Sequence, residues 1–405
     1  MVHFIILRYN FVKDITFLCM FVGYNIKTDF MKKIFGALML CLALASCSSN
    51  KSEIVIFPES DFNIEVDGSQ VSVYTLKAGD IVMQVTNFGA RVVSLWTPDR
   101  NGHYDDIVLG YNNIDNYVNN PGERFLGAVV GPYANRIAGG TYTIDGETYQ
   151  FPVNNNGQTL HGGLKGLDMV VWNVDSVSDD SIVLSYLRPD GQDGMPGNLK
   201  IVMTYTLTSD NEFKVDYVAE TDKATHVNIS HHSFFNLKGE GNGTIEDNVM
   251  VINASHTTPV NEVLIPTGEI ADVTGTPFDF REPHVIGERI GVENEQLANG
   301  GGYDHNWVLD RKTEGELEFA ASVYEPGCGR VMEVYTDQPA MQFYSGNFFD
   351  GSTTGKYGKA LRYRESIALE TQKYPDTPNH DNFPSTLLRP GEKYTHVCVY
   401  KFGVK

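Results

Sequence analysis

Residues 228–236 read N-I-S-H-H-S-F-F-N, with two adjacent histidines in a run that has the character of a β-strand. Neighbouring side chains on a strand point to opposite faces. Asn228, Ser230, His232, Phe234 and Asn236 therefore share one face, which is mostly polar and suits a cleft. Ile229, His231, Ser233 and Phe235 share the other, which suits packing. His232 is the candidate working group and His231 a supporting one. The same test on S-I-A-L-E-T-Q at 366–372 puts Glu370 with Ser366, Ala368 and Gln372, opposite Ile367 and Leu369. An imidazole and a carboxylate on two cleft-facing strands are the components of proton-transfer catalysis. Taken singly, each also fits a structural histidine or a surface glutamate.

Three more stretches carry polar side chains in loop-like surroundings. Asn135 and Arg136 follow Gly131-Pro132-Tyr133, His161 sits among glycines in L-H-G-G-L-K-G at 160–166, and Asp304 lies beside His305 in G-G-G-Y-D-H-N-W at 300–307. Glycines let backbone approach a ligand closely. Metal binding is a rival use of these His, Asp and Glu residues. However, the chain has no H-E-x-x-H, no C-x-x-C and no EF-hand loop, and D-G-Q-D-G at 190–194 lacks calcium-loop spacing. It also has no G-x-S-x-G, P-loop or dinucleotide fingerprint. A glycosidase using Asp304 and Glu370 as its carboxylate pair is a second reading.

The elements that must position these residues are strands. Ile201, Met203, Tyr205 and Leu207 alternate with polar residues, as do Phe213, Val215, Tyr217 and Ala219. The two runs flank Ser209-Asp210-Asn211 and predict a hairpin. Asp145-Gly146 between 142–144 and 148–151 is a two-residue turn signal. Helical periodicity is confined to one short helix within 284–298. The loop 371–385 is polar and proline-rich, so it cannot be a central strand and predicts an ordered loop near a site. The fold class is all-β, a large antiparallel β-sandwich. The 405 residues carry a formal charge of −20, which excludes nucleic acid as a partner. The 22 Phe and 21 Tyr supply both a core and stacking surfaces for sugar rings.

The amino-terminal region has another purpose. Residues 31–47 place Lys32 and Lys33 before an apolar stretch and end in Leu44-Ala45-Ser46-Cys47, the layout of an export signal with a lipobox. Met31 is then the expected start, residues 1–30 an over-extended reading frame, and Cys47 the lipidated residue. Residues 48–58 form a tether, and 59–405 a single domain. The absence of aspartate after Cys47 points to the outer membrane, facing the periplasm of a Gram-negative bacterium, with the lipid anchor as the only membrane contact. Only Cys328 and Cys398 lie in the body of the protein, either as one disulfide or as two buried thiols.

Together the motifs resemble the aldose 1-epimerase family. The match includes N-F-G-A-R at 87–91, D-I-V-L-G-Y at 106–111, G-P-Y-A-N-R-I at 131–137 and L-H-G-G at 160–163. It continues through D-G-x-x-G-x-P-G at 190–197, H-S-F-F-N-L at 232–237, Y-D-H-N at 303–306, Q-F-Y-S-G-N at 342–347 and L-E-T-Q at 369–372. The resemblance implies a sandwich with an open cleft and interconversion of α and β anomers of hexoses such as D-glucose and D-galactose. It implies Glu370 as general base and His232 as general acid. Asn135, Arg136, His161, Ser233, Phe234, Asp304 and Gln342 would surround the sugar. No cofactor or metal is implied; the partner is a small aldose. A departure is His231-His232-Ser233-Phe234 where the family has Asn-His-Ser-Tyr, which removes a hydroxyl and keeps a ring. A lipoprotein that binds sugar without catalysis is the third reading.

Overall fold

A computed structural model describes residues 54–120 and 122–405. The proposed signal, its Cys47 and the first half of the tether lie outside the described residues. The tether's end is docked. The Phe57 N–H donates to Gln84 Oε1 at 2.9 Å, and Gln84 Nε2 donates back to the Phe57 carbonyl at 3.0 Å.

Antiparallel sheets build the molecule. The largest has nine strands, with Leu199–Leu207, Glu212–Thr221, Tyr394–Val404 and Arg330–Thr336 at its centre. The expected hairpin is there: Leu199–Leu207 pairs with Glu212–Thr221 from Leu199↔Thr221 to Leu207↔Phe213. Its odd positions are buried and its even ones are not, so one face packs and the other meets water. At the Asp145-Gly146 turn both residues have positive φ, 52° and 85°, as a two-residue hairpin loop requires. In place of one helix in 284–298 there are two, Ile286–Arg289 and Glu295–Gly300. The break comes where Asn294 caps a new start, its side chain accepting the Gln296 and Leu297 N–H groups.

The five-stranded sheet matters most for function. Its order is Ala271–Asp272, His256–Thr258, Asp304–Val308, Ala340–Tyr344, Ala368–Gln372. Both faces of its last two strands are buried. On one face Trp307, Met341, Phe343 and Leu369 join the main apolar core. The opposite face carries Asp304, Asn306, Gln342, Tyr344, Glu370 and Gln372. Register aligns Asn306↔Gln342↔Glu370 and Asp304↔Tyr344 across it. Polar side chains in such a row must find partners inside the protein or in a ligand.

The short strand Ser230–His232 reaches this sheet's edge. It pairs with Ala128–Val130, and the Ser230 hydroxyl donates to the Thr371 carbonyl at 2.9 Å. Phe235 and Ile367 exchange backbone hydrogen bonds of 2.7 and 2.8 Å. Those contacts bring His232 beside Glu370. Cys328 and Cys398 are free thiols. Among the described residues, no helix is long and apolar enough to cross a membrane.

Candidate active site

A cavity of about 270 Å³ opens over the polar face, lined by Asn135, Arg136, His161, His232, Phe234, Asp304 and Glu370 of the residues singled out above. Its centre is a proton-transfer pair. His232 Nε2 lies 3.3 Å from Glu370 Oε1, and both side chains are buried. Rings enclose the imidazole. Phe234 lies 4.7 Å away, Phe125 stacks at 6.0 Å, and His161 meets it edge-on at 5.1 Å.

Burial disfavours charge on both members. It pushes Glu370 well above the carboxylate range; Asp304 and Glu123 add to this, while Arg136 opposes it. It lowers His232 to about 3, with a smaller push from Arg91 in the same direction. The unliganded pair thus holds one proton, favoured on the carboxyl. Moving that proton to the imidazole yields a carboxylate base and an imidazolium acid without changing the total charge.

The walls are held rigidly. Asn135 and His161 both have left-handed backbone, with φ of 62° and 51°. They clamp each other: the Asn135 N–H donates to His161 Nδ1 at 3.1 Å, and the His161 N–H donates to the Asn135 carbonyl at 3.0 Å. This strained geometry is kept because each residue fixes the other. A Cβ at Gly162 would collide with the Gly131 carbonyl, so only glycine permits this approach. Arg136 is buried and donates to Asn155 Oδ1 at 3.3 Å. Of 371–385, expected as a loop, Thr371 and Gln372 instead finish the strand Ala368–Gln372, and the remainder is an ordered loop: the Asp376 N–H donates to the Arg136 carbonyl at 2.9 Å. Asp304 Oδ1 accepts from Gln342 Nε2 at 2.7 Å, and burial raises its carboxyl against the pull of Arg136.

His161, His232 and Glu370 place one ligand atom each within 4.8 Å of one another, a spacing a metal ion would suit. The tautomer speaks against it. Because His161 Nδ1 accepts a backbone N–H, its Nε2 carries the ring proton and has no lone pair to give. His161 is instead a fixed hydrogen-bond donor.

Two expected contacts lie elsewhere. Ser233 is on the core side, 2.6 Å from His231 Nε2, and does not line the cavity. Strand alternation separates it from His232, so it supports the neighbouring histidine instead. His231 itself is buried between Ser233 and the Tyr205 hydroxyl, 3.1 Å from its Nδ1. Gln342 is also outside the lining and stands behind Asp304. Glu123, Phe125, Asn155, Leu160, Tyr344 and Phe348 complete the wall and were not anticipated. Tyr344 was readable, being two residues beyond Gln342 on the same strand face. Glu123, Phe125 and Phe348 come from segments without periodicity and carried no such signal.

Comparison with known proteins agrees with this architecture. The aldose 1-epimerase family model matches residues 72–401. Galactose mutarotase of Bos taurus is 41% identical over 342 residues, covering 84% of this chain and 97% of the relative. Aldose 1-epimerase of Escherichia coli K12 is 36% identical over 340 residues, covering 83% and 96%. Among solved structures, the aldose epimerase homologue from C. elegans aligns with a TM-score of 0.74 at 29% identity, covering 82% of this chain and 99% of that one. A match spanning the sandwich, the histidine strand and the glutamate strand together leaves one assignment: the chain belongs to the aldose 1-epimerase family.

Proposed function

We propose that this isomerase interconverts the anomers of free hexoses, D-glucose and D-galactose among them, with Glu370 as base and His232 as acid. The observation that carries the assignment of roles is the 3.3 Å approach of His232 Nε2 to Glu370 Oε1 inside a buried polar cavity. Glu370 takes the proton of the C1 hydroxyl while His232 gives one to the ring oxygen. The bond from C1 to the ring oxygen opens, C1 rotates about its bond to C2, and closure from the other face returns both protons. Sugar hydroxyls and Arg136 favour the carboxylate form of Glu370, drawing the shared proton onto His232. The Nε2–H of His161 and the guanidinium of Arg136 are donors for oxygens that gain charge during opening. Asp304, steadied by Gln342, accepts from sugar hydroxyls, and Asn135 and Phe234 complete the contact. Polarimetry on fresh α-D-glucose and α-D-galactose tests this directly. Rotation should relax far faster than in buffer; relaxation at the buffer rate for both would reject the reading.

The pair also sets a pH profile. Its working state holds one proton. On the acid side that state is lost only when His232 accepts a second proton, and burial holds His232 down at about 3. On the alkaline side it is lost when Glu370, held above the usual carboxylate range, gives up the only proton. So kcat/KM should show no acid limb at about 6.5, the region where an exposed imidazole would titrate. An acid limb centred near the ordinary histidine value of about 6.5 would count against a desolvated pair.

Residues 31–47 support export of the protein as a lipoprotein, anchored through Cys47 to the outer membrane and facing the periplasm. A multiply acylated cysteine anchors stably where one chain would not. Changing Cys47→Ser should move the protein from the membrane pellet to the soluble fraction. An unchanged distribution would reject the anchor.

A further inference from the structure

Tyr394–Val404 runs through the centre of the nine-stranded sheet, and Tyr394, Tyr400 and Phe402 on one of its faces join the main apolar core. His396 lies on that face too and is fully buried. An imidazole and two phenols in an apolar core must each find a polar partner there. All three find it on the two segments that carry the catalytic pair. The Tyr400 hydroxyl donates to the Leu369 carbonyl at 2.9 Å. The Tyr394 hydroxyl accepts the Ile229 N–H at 3.1 Å and donates to the Ile229 carbonyl at 3.3 Å. His396 touches both segments: its Nδ1 lies 3.0 Å from the Ile229 carbonyl oxygen, and its Nε2 lies 2.8 Å from Thr371 Oγ1.

These contacts fix the ring. A carbonyl only accepts, so His396 Nδ1 carries the ring proton and Nε2 accepts from the Thr371 hydroxyl. Burial lowers His396 to about 4, with Asp337 and the Ile229 carbonyl opposing, so the ring is neutral and keeps one donor and one acceptor. Both segments need such support. Ser230–His232 is a strand of 3 residues, paired with Ala128–Val130 in a sheet of two strands. Ala368–Gln372 is the edge strand of its sheet. An edge strand has one row of backbone groups with no strand to pair with. Leu369 and Thr371, on either side of Glu370, place their carbonyls on that row, and the Tyr400 and Ser230 hydroxyls satisfy them.

We propose that His396 is a positioning residue: by tying Ile229 and Thr371 to one central strand, with Tyr394 and Tyr400 beside it, it sets the 3.3 Å separation of His232 Nε2 and Glu370 Oε1. His396 does not line the cavity. It acts through Thr371, the neighbour of Glu370, and through Ile229, at the start of the run that reaches His232. Proton transfer is steep in distance, and a displacement of about 1 Å in such a site can cost ~10²-fold in rate. The proposal rests on the anomer-interconverting reading of the cavity and adds to it a residue behind the sheet.

The mildest test is Thr371→Val, which removes the hydroxyl and keeps the shape of the side chain. Polarimetry of the full protein on α-D-glucose, well below the melting temperature, should show kcat lowered about tenfold with KM within about twofold of wild type. Thr371→Ser returns the hydroxyl and should recover most of the rate. His396→Leu should lose at least as much as Thr371→Val, and the double variant no more than His396→Leu alone, because one hydrogen bond cannot be lost twice. If His396→Leu does not fold, the two Thr371 variants decide. A Thr371→Val protein that melts earlier but keeps wild-type kcat would reduce the array to a stabiliser of the fold and overturn the proposal. Losses that multiply in the double variant would also overturn it. A crystal structure of Thr371→Val gives a reading that needs no turnover: the His232–Glu370 separation should grow by about 0.5 Å or more, and an unchanged separation would reject the brace. Wild-type relaxation at the buffer rate would instead bring down the anomer-interconverting reading, with the crystal separation still deciding the role of His396.

Discussion

Glu370→Gln should slow anomer interconversion at least ~10²-fold with little change in KM. The amide keeps the shape and the hydrogen bonding of the side chain but cannot take the C1 proton. His232→Asn should cost a similar factor, because among the described residues no other imidazole stands within reach of the carboxylate as a mobile acid. His161, the nearest candidate, is locked as a donor by the Asn135 N–H. The double variant is the sharper experiment. Removing a proton from C1–OH achieves little unless the ring oxygen gains one, so the second loss should add much less than its own factor. Independent, multiplying losses would indicate two separate contributions in place of one relay. Stability gives a control. Glu370 is a desolvated carboxyl whose charged form is disfavoured by burial, Asp304 and Glu123. A neutral amide there should melt at or above the wild-type temperature. A rate loss with a falling melting temperature would indicate damage to the fold.

How far these residues could be read from sequence depends on local periodicity. The hairpin at 199–221 and the faces of His232 and Glu370 follow from alternation within one strand, which needs no tertiary information. Alternation also separated His231 and Ser233 from His232, and the structure puts both on the core side. Family resemblance drew Ser233 toward the sugar, although its side chain points away from the cavity. The polar row Asp304, Gln342 and Glu370 is harder to read. Three strands distant in sequence supply it, and their register is set by pairing, not by any one segment. Glu123, Phe125 and Phe348 enter the cavity from irregular segments, whose side-chain directions exist only after the sheets assemble.

Lys356 is the extreme case of a residue no local pattern could reveal, and its replacement should damage stability most. Nothing in G-K-Y-G-K marks it, yet its side chain is fully buried. The ammonium lies 2.7 Å from Asp106 Oδ2 and 3.4 Å from Glu240 Oε2, and it donates to the carbonyls of Val93 and Val108 at 2.7 and 2.8 Å. Those partners are about 250 residues away in sequence for Asp106 and 263 for Val93. Glu240 is pushed up to about 8 by burial, with Lys356 opposing, and Asp106 is the nearer carboxyl partner of the lysine. Lys356→Met would leave Asp106 buried with only neutral donors, Tyr357 Oη among them at 2.9 Å. Losing one member of such a pair costs about 3–5 kcal/mol, whereas losing both together costs far less. Lys356→Met should therefore lower the unfolding free energy by about that amount in urea titration, and adding Asp106→Asn should restore much of it. A single-variant loss below about 1 kcal/mol would mean that the ammonium is dispensable. The effect should extend to catalysis, because the segment this lysine clamps is the one that holds the histidine strand. The Leu109 N–H donates to the Phe234 carbonyl at 2.9 Å, and the Asn236 N–H donates to the Ile107 carbonyl at 2.8 Å. Loosening 107–110 would let Phe234, and the His232 ring packed against it, drift from Glu370. So Lys356→Met should lose rate well below its melting temperature, and the Asp106→Asn companion should recover rate and stability together.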